Sequence, residues 1–194
     1  MRNESGELFG LRLYPLYRIR VMPRPGKHNQ YRIPLFRFST SIVLEPTIAT
    51  FINSPPSKNP AQKIHGIHKE DVENKPEFNQ LWHEIEPYLY DKIIIAHNAS
   101  FDINVLRKTL LHYGIPKPKA RYICTYQLSR IVWKESTKFS LDHLCNQENI
   151  TLNHHKAESD AEACARLFLR EAEILEANNF YELKQKTKLR LTRV

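Results

Sequence analysis

The sequence predicts an α/β domain, and three observations predict it. Short strand-like runs come first, and from about residue 76 strand and helix patterns alternate. Lys92-Ile-Ile-Ile-Ala-His97 is a continuous apolar run, as expected of a strand covered on both faces. Apolar residues then recur at the 3–4 spacing of one helix face in several segments. With 194 residues, 41% of them hydrophobic and 26% charged, the chain suits one globular domain with tails.

The elements follow in order. Ile42-Val43-Leu44 and residues 47–52 read as two short strands around a turn at Glu45-Pro46, and residues 54–62 as a Pro/Ser/Asn loop. Pro76 suits the first turn of a helix whose buried stripe is Phe78, Leu81, Trp82, Ile85 and Leu89. The strand Lys92 to Ala96 leads to a helix from about Phe101, with Val105, Leu106 and Leu110 inward, ending before Gly114. Arg121 to Cys124 is a short extended piece, and Thr125 is placed to cap a helix toward Trp133. Ser140 is placed to cap another, with Leu141, Leu144 and Cys145 on its core face. Glu158 to about Ala177 is the longest helix, with Ala161, Cys164, Ala165 and Phe168 on one side.

The net charge of +8 points to an acidic partner, with nucleic acid first. The first 44 residues carry eight bases against two acids, so most of that excess sits in less than a quarter of the chain. Prolines 15, 23, 25 and 34 interrupt this stretch, which has no alanine and no aspartate. The expected organisation is an atypical basic leader at 1–41, disordered, then a domain at 42–180 and a basic tail at 181–194. Three readings of the leader compete: a nucleic-acid-binding arm, a transit peptide weakened by its prolines and early glutamates, and a shifted reading frame or aberrant gene start. Three cysteines are too few and too odd in number for a disulfide framework and suit a reducing, cytoplasmic setting. No run approaches the length of a membrane span, and no apolar h-region follows the first arginines.

Two constellations could carry chemistry. His97-Asn98-Ala99-Ser100-Phe101-Asp102 puts an aspartate in the first turn of a helix at the carboxyl end of a buried strand, where sites in open α/β sheets gather. The bland alternative is an aspartate that steadies the helix dipole, with Asn98 or Ser100 as a plain cap. In His155-Lys156-Ala157-Glu158-Ser159-Asp160-Ala161 a histidine precedes a helix and an aspartate follows five residues on, flanked by small residues. A histidine there suits proton abstraction from water, and a solvated histidine at a helix entrance is the commoner case. A zinc site from His143, Cys145, His154 and His155 is a weaker alternative, since Cys145 falls on an apolar helix face.

Together the two constellations resemble motifs two and three of the DEDDh 3′–5′ exonucleases, the ribonuclease-H-like family that includes the proofreading epsilon subunit of bacterial DNA polymerase III. Ile64-His65-Gly66-Ile67 with Glu70-Asp71-Val72, Cys124-Thr125 with Leu128-Ser129-Arg130, and Ser140-Leu141 with Leu144 extend the resemblance over about residues 42 to 177. It implies a ribonuclease-H-like mixed sheet flanked by helices, and metal-dependent 3′–5′ exonuclease activity on DNA in replication proofreading or repair. It implies two divalent ions, Mg²⁺ or Mn²⁺, held in part by Asp102 and Asp160, which with His155 are the catalytic residues; His155 is the general base. His97 and Asn98 are implied at the substrate, and single-stranded DNA or 3′ ends and a DNA polymerase subunit as partners.

The family's first motif, Asp-x-Glu on the first strand, is missing. It should fall near residues 8 to 16, where no acid occurs, and no aspartate precedes Asp71. The N-terminal strand region is therefore expected to be defective, with metal binding weakened and activity impaired. The rival function is a non-catalytic nucleic-acid-binding or polymerase-associated module on the same fold.

Overall fold

The computed structural model describes residues 76–153 and 157–194. The leader at 1–41, the strands and loop expected between 42 and 62, and His154, His155 and Lys156 lie outside the described residues. Those described form α1 (Phe78–Leu89), β1 (Ile93–Ala96), α2 (Ala99–His112), β2 (Arg121–Cys124), α3 (Thr125–Val132), α4 (Leu141–Gln147), α5 (Ala157–Ile174), α6 (Phe180–Thr187) and β3 (Thr192–Arg193).

β1 pairs parallel with β2, with Ile93 opposite Arg121 and Ala96 opposite Cys124, and α2 makes the crossover that parallel strands need. β3 pairs antiparallel with β2 and is an outer strand of the mixed sheet that the described residues form. Side chains alternate across a strand, so β1 serves two cores. Ile94 joins Phe78, Leu89, Ile103, Leu106 and Leu110 under α1 and α2. Ile93 and Ile95 face the other way, toward Ile123, Leu128, Phe168 and Leu183. Helices thus cover both faces, as the apolar run predicts, although only Ile94 of that run is fully buried.

Helix ends differ from expectation for local reasons. Pro76 lies just outside α1, because Glu77 is the N-cap and shares a capping box with Gln80, its N–H donating to Gln80 Oε1 at 2.8 Å. α2 starts two residues early, at Ala99, because Asn98 takes the left-handed conformation (φ 56°, ψ 42°) that asparagine tolerates. It ends at Gly114 (φ 64°), where the Ile115 N–H reaches back to the Leu110 carbonyl at 2.8 Å. Ser140 is the N-cap of α4 without a side-chain cap bond.

The basic segment at 181–194 is not a tail. Most of α6 lies in it, Leu183 is buried, β3 pairs with β2, and the buried Val194 donates its N–H to the Ala120 carbonyl at 3.1 Å. Apolar residues interleaved with the lysines and arginines anchor this segment. Among the described residues no helix is long and apolar enough to cross a membrane.

One buried acid ties α5 to α3. Ser129 Oγ lies 2.7 Å from the Thr125 carbonyl and within hydrogen-bond reach of Glu171 Oε1. A hydroxyl has one proton and a carbonyl can only accept, so Ser129 donates to Thr125 and Glu171 supplies the second proton. Burial holds the Glu171 carboxyl well above the usual carboxylate range, which keeps that proton in place. Glu171→Gln, whose amide can donate in the same position, is expected to match or exceed the parent's unfolding free energy at pH 7. Glu171→Ala should lose about 2–4 kcal/mol through the cavity and the broken bond. Urea denaturation of both variants checks this; a Gln variant as unstable as the Ala variant would mean that the carboxyl is ionised.

Candidate active site

The carboxyl ends of β1 and β2 lie side by side, and each strand feeds directly into a helix. α5 crosses this end, packing against β1, α3 and α4. Asp102 stands in the first turn of α2, partly buried. Asp160 stands near the start of α5 and is 9% exposed. The chain entering α5 is pinned by the Asn153 N–H, which donates to Ser159 Oγ at 2.7 Å, one residue from Asp160.

Cys164 links the two constellations. Burial is the main cause that pushes its thiol pKa up, opposed by the Thr125 hydroxyl, with smaller upward effects of Glu171, Cys124 and Asp102. Cys164 lies one helical turn after Asp160, so both residues share a face of α5. On the other flank, burial and then the charges of Asp142 and Asp160 push the Cys145 thiol up to about 11. Asp102 itself is pushed up to about 6 by burial, only partly offset by a hydrogen bond with its own backbone. A divalent cation beside it would favour the ionised form, and carboxylate oxygens are the donors that a hard ion takes. Asp102 and Asp160 thus fit as two of the ligands of an Mg²⁺ or Mn²⁺ site.

His97 has a place within the fold. One ring nitrogen, Nε2, lies 2.8 Å from the Phe139 carbonyl, and the other, Nδ1, lies 2.9 Å from Thr125 Oγ1. The carbonyl can only accept, so Nε2 carries the proton and Nδ1 accepts from the threonine hydroxyl. Thr125 Oγ1 is then free to accept from the Cys164 thiol, 3.6 Å away. Burial holds the His97 pKa below 6.5, against opposing effects of the Phe139 carbonyl and Asp142, which favours the neutral ring this chain of bonds requires. Tyr126 packs edge-on against the ring at 5.7 Å and against Phe139 at 6.0 Å.

Of the residues expected at a site, Asp102 stands in the first turn of α2 and Asp160 near the start of α5. Both His97 nitrogens, expected at the substrate, are instead engaged by the protein. Asn98 is exposed at the mouth of α2, with Ser100 Oγ 3.5 Å from its Oδ1. Phe101, beside Asp102, is 58% exposed. His155 lies outside the described residues. Cys145 is fully buried, and among the described residues no three His, Cys, Asp or Glu side chains gather as a metal site, which leaves the zinc alternative without support there. Thr125, expected as a cap, is the first residue of α3 and turns its hydroxyl to His97. A threonine directly after a strand that ends beside another strand is the signal that could have marked it.

Two outcomes follow from this geometry. The folded-state pKa of Asp102 lies above its ordinary value of 3.8, so its proton favours the fold below that value and the stability is lost as pH rises toward 6. In EDTA, Asp102→Asn should therefore be more stable than the parent at pH 7, by up to about 3 kcal/mol, with the gap closing near pH 4. Urea melts at the two pH values measure it. Thr125→Val removes the donor to His97 Nδ1 and should cost about 1–3 kcal/mol, while Thr125→Ser should keep most of the stability.

The comparisons with known proteins agree with this arrangement. The RNase T exonuclease profile, described as Exonuclease, matches residues 22–168, beginning inside the basic leader and ending in α5. A DNA polymerase III of the PolC type from Halalkalibacterium halodurans is 32% identical over 116 residues, 59% of this chain and 8% of that protein. The 3′-5′ exonuclease DinG of Staphylococcus aureus is 30% identical over 139 residues, 71% of this chain and 15% of that one. The chain thus spans less than a sixth of the length of either relative. The solved structure of Exonuclease X in complex with 5′ overhanging duplex DNA superposes with a TM-score of 0.56 at 23% identity, covering 71% of this chain and 79% of that one, and shows the shared fold. With most of its length inside the profile, the chain belongs to the exonuclease family, of the DEDDh type.

Proposed function

We propose that the chain carries a 3′–5′ exonuclease site for DNA ends, in which Asp102 and Asp160 hold divalent ions and His155 takes the proton from the attacking water. The observation that supports this most is that Asp102 stands in the first turn of α2, just after β1, while the buried Asp160 stands near the start of α5, the helix that packs against the same strand. When bound, divalent ions would polarise the scissile phosphate and the attacking water. Asp102 and Asp160 supply the oxygen donors from the two sides. His155, five residues before Asp160, is the base, imidazole being the side chain that takes and returns a proton near neutral pH. His97 and Thr125 hold the start of α2 against α3 and so fix where Asp102 points. Asn98 and Phe101, exposed at the mouth, offer an amide for a hydrogen bond and a ring on which a terminal base can stack.

The similarity to a PolC-type polymerase and to DinG supports a place in replication proofreading or repair, with a DNA polymerase subunit as partner. The sequence also supports a second reading, a nucleic-acid-binding module that has lost catalysis, because no Asp-x-Glu occurs where the family's first strand should lie. Loss of two positioned carboxylates removes electrostatic stabilisation worth several kcal/mol, and each ~1.36 kcal/mol is a factor of ten.

The full chain should accordingly degrade a 3′-labelled single strand at least about 10³-fold more slowly than a family member with an intact first motif. Rapid Mg²⁺-dependent cleavage by the unmodified chain would overturn the impairment. Mn²⁺ binding tests the shared site without activity. Asp102→Asn and Asp160→Asn should each weaken binding by about as much as the double variant, because ligands of one ion act together. Additive losses, or no Mn²⁺ binding by the parent, would count against a common site.

A further inference from the structure

We propose that the outer edge of the sheet, at β3, is a second contact surface for the phosphodiester backbone of nucleic acid, separate from the carboxylates. β2 runs from Arg121 to Cys124, and the Cys124 end feeds the active site. Arg121 is at the opposite end, about 10 Å away along the strand. There it sits directly opposite Arg193 of β3. Residues opposed in an antiparallel pair project from the same face with Cα atoms about 5 Å apart, and like charges so placed repel. Both arginines are exposed. Arg107 reaches the same strand from α2, donating from Nη2 to the Arg193 carbonyl at 2.9 Å, while its buried Nε has no partner.

Two guanidinium groups, those of Arg121 and Arg193, therefore share one face where the sheet ends, while Arg107 reaches the strand backbone from the α2 side. Lys117 and Lys119 precede β2, Lys188 and Arg190 precede β3, and neither residues 115–122 nor 183–194 contain an acid. The bordering acids are Asp91, whose N–H donates to the Lys119 carbonyl at 2.7 Å, and Glu182, whose carboxylate accepts from the Asn178 N–H and the Asn179 amide. The arginine and lysine ion pairs among the described residues involve Arg166, Arg170 and Lys186, and no carboxylate among them pairs with Arg107, Arg121 or Arg193. Planar guanidinium forks match phosphate oxygens, so a polyanion relieves the repulsion that the fold leaves in place. The choice of a nucleic acid over an acidic protein rests on the exonuclease reading.

The test uses the full chain in EDTA, so that no strand is cut, with fluorescein-labelled oligothymidine followed by anisotropy over a range of salt. Arg121→Gln with Arg193→Gln should bind more weakly and lower the slope of log affinity against log salt by about 1.4, the loss of two single-strand phosphate contacts. The thermal midpoint of the double variant should stay at or above the parent's, since a like-charge pair is gone. Unchanged affinity and slope would overturn the inference and leave these charges as guards against edge-to-edge pairing; the exonuclease reading would stand, because cleavage of a 3′-labelled strand tests it separately. A parent that fails to bind oligothymidine overturns the edge surface as well. Polyglutamate binding that the double variant abolishes, with oligothymidine binding untouched, would assign the edge to an acidic protein instead.

Discussion

The hydrogen bond between His97 Nδ1 and Thr125 Oγ1 carries the pairing of the two parallel strands one residue beyond the sheet. Ala96 and Cys124 end β1 and β2 opposite each other, and the next residue of each strand joins this bond. α2 begins two residues after His97 and α3 begins at Thr125 itself, so one contact sets the relative position of both helix entrances. The same hydroxyl meets the Cys164 thiol of α5, and the other imidazole nitrogen meets the Phe139 carbonyl just before α4. Four helices are thus referred to one neutral imidazole. Asp102, one turn into α2, inherits its position from that arrangement.

Buried acids are handled in two ways in this fold. Glu171, on the far part of α5, keeps its proton and spends it on Ser129, which makes it a neutral strut between α5 and α3. Asp102 has only its own backbone to offset burial, and its pKa rises to about 6. A carboxyl held in that state destabilises the fold at neutral pH, a common mark of residues kept for function. The strain is electrostatic, and a cation would relieve it.

Much of the framework was legible in the sequence because it rests on periodicity. The run at 92–97, the stripe Phe78, Ile85, Leu89 and the face Ala161, Cys164, Ala165, Phe168 are local patterns that survive folding, and all are placed as the spacing requires. Other features depend on what lies across space. Thr125 was legible as a helix-start residue, but not the fact that a histidine 28 residues earlier would compete for its hydroxyl. The lysines and arginines of 184–193 mask Leu183, Thr187 and Val194, whose burial makes this stretch part of the fold. Glu171 sat in view, three residues after Phe168 on the apolar face of α5, and an acid at a core position was the cue. Asp102 and Asp160 stand out locally as acids in the first turns of helices, but 58 residues separate them, so only the motif resemblance joins them into one expected site.

The central claim is that the start of α2 and the start of α5 face one metal-binding locus. Paramagnetic broadening by Mn²⁺ in the ¹⁵N-labelled full chain tests it directly, because the effect falls steeply with distance and needs no turnover. Substoichiometric Mn²⁺ should broaden the amides of residues 99–103 and of residues 159–164 together, leave the edge residues Thr192 and Arg193 sharp, and lose both effects in Asp102→Asn. Broadening confined to one of the two helix starts, or spread evenly over the exposed carboxylates, would contradict the account.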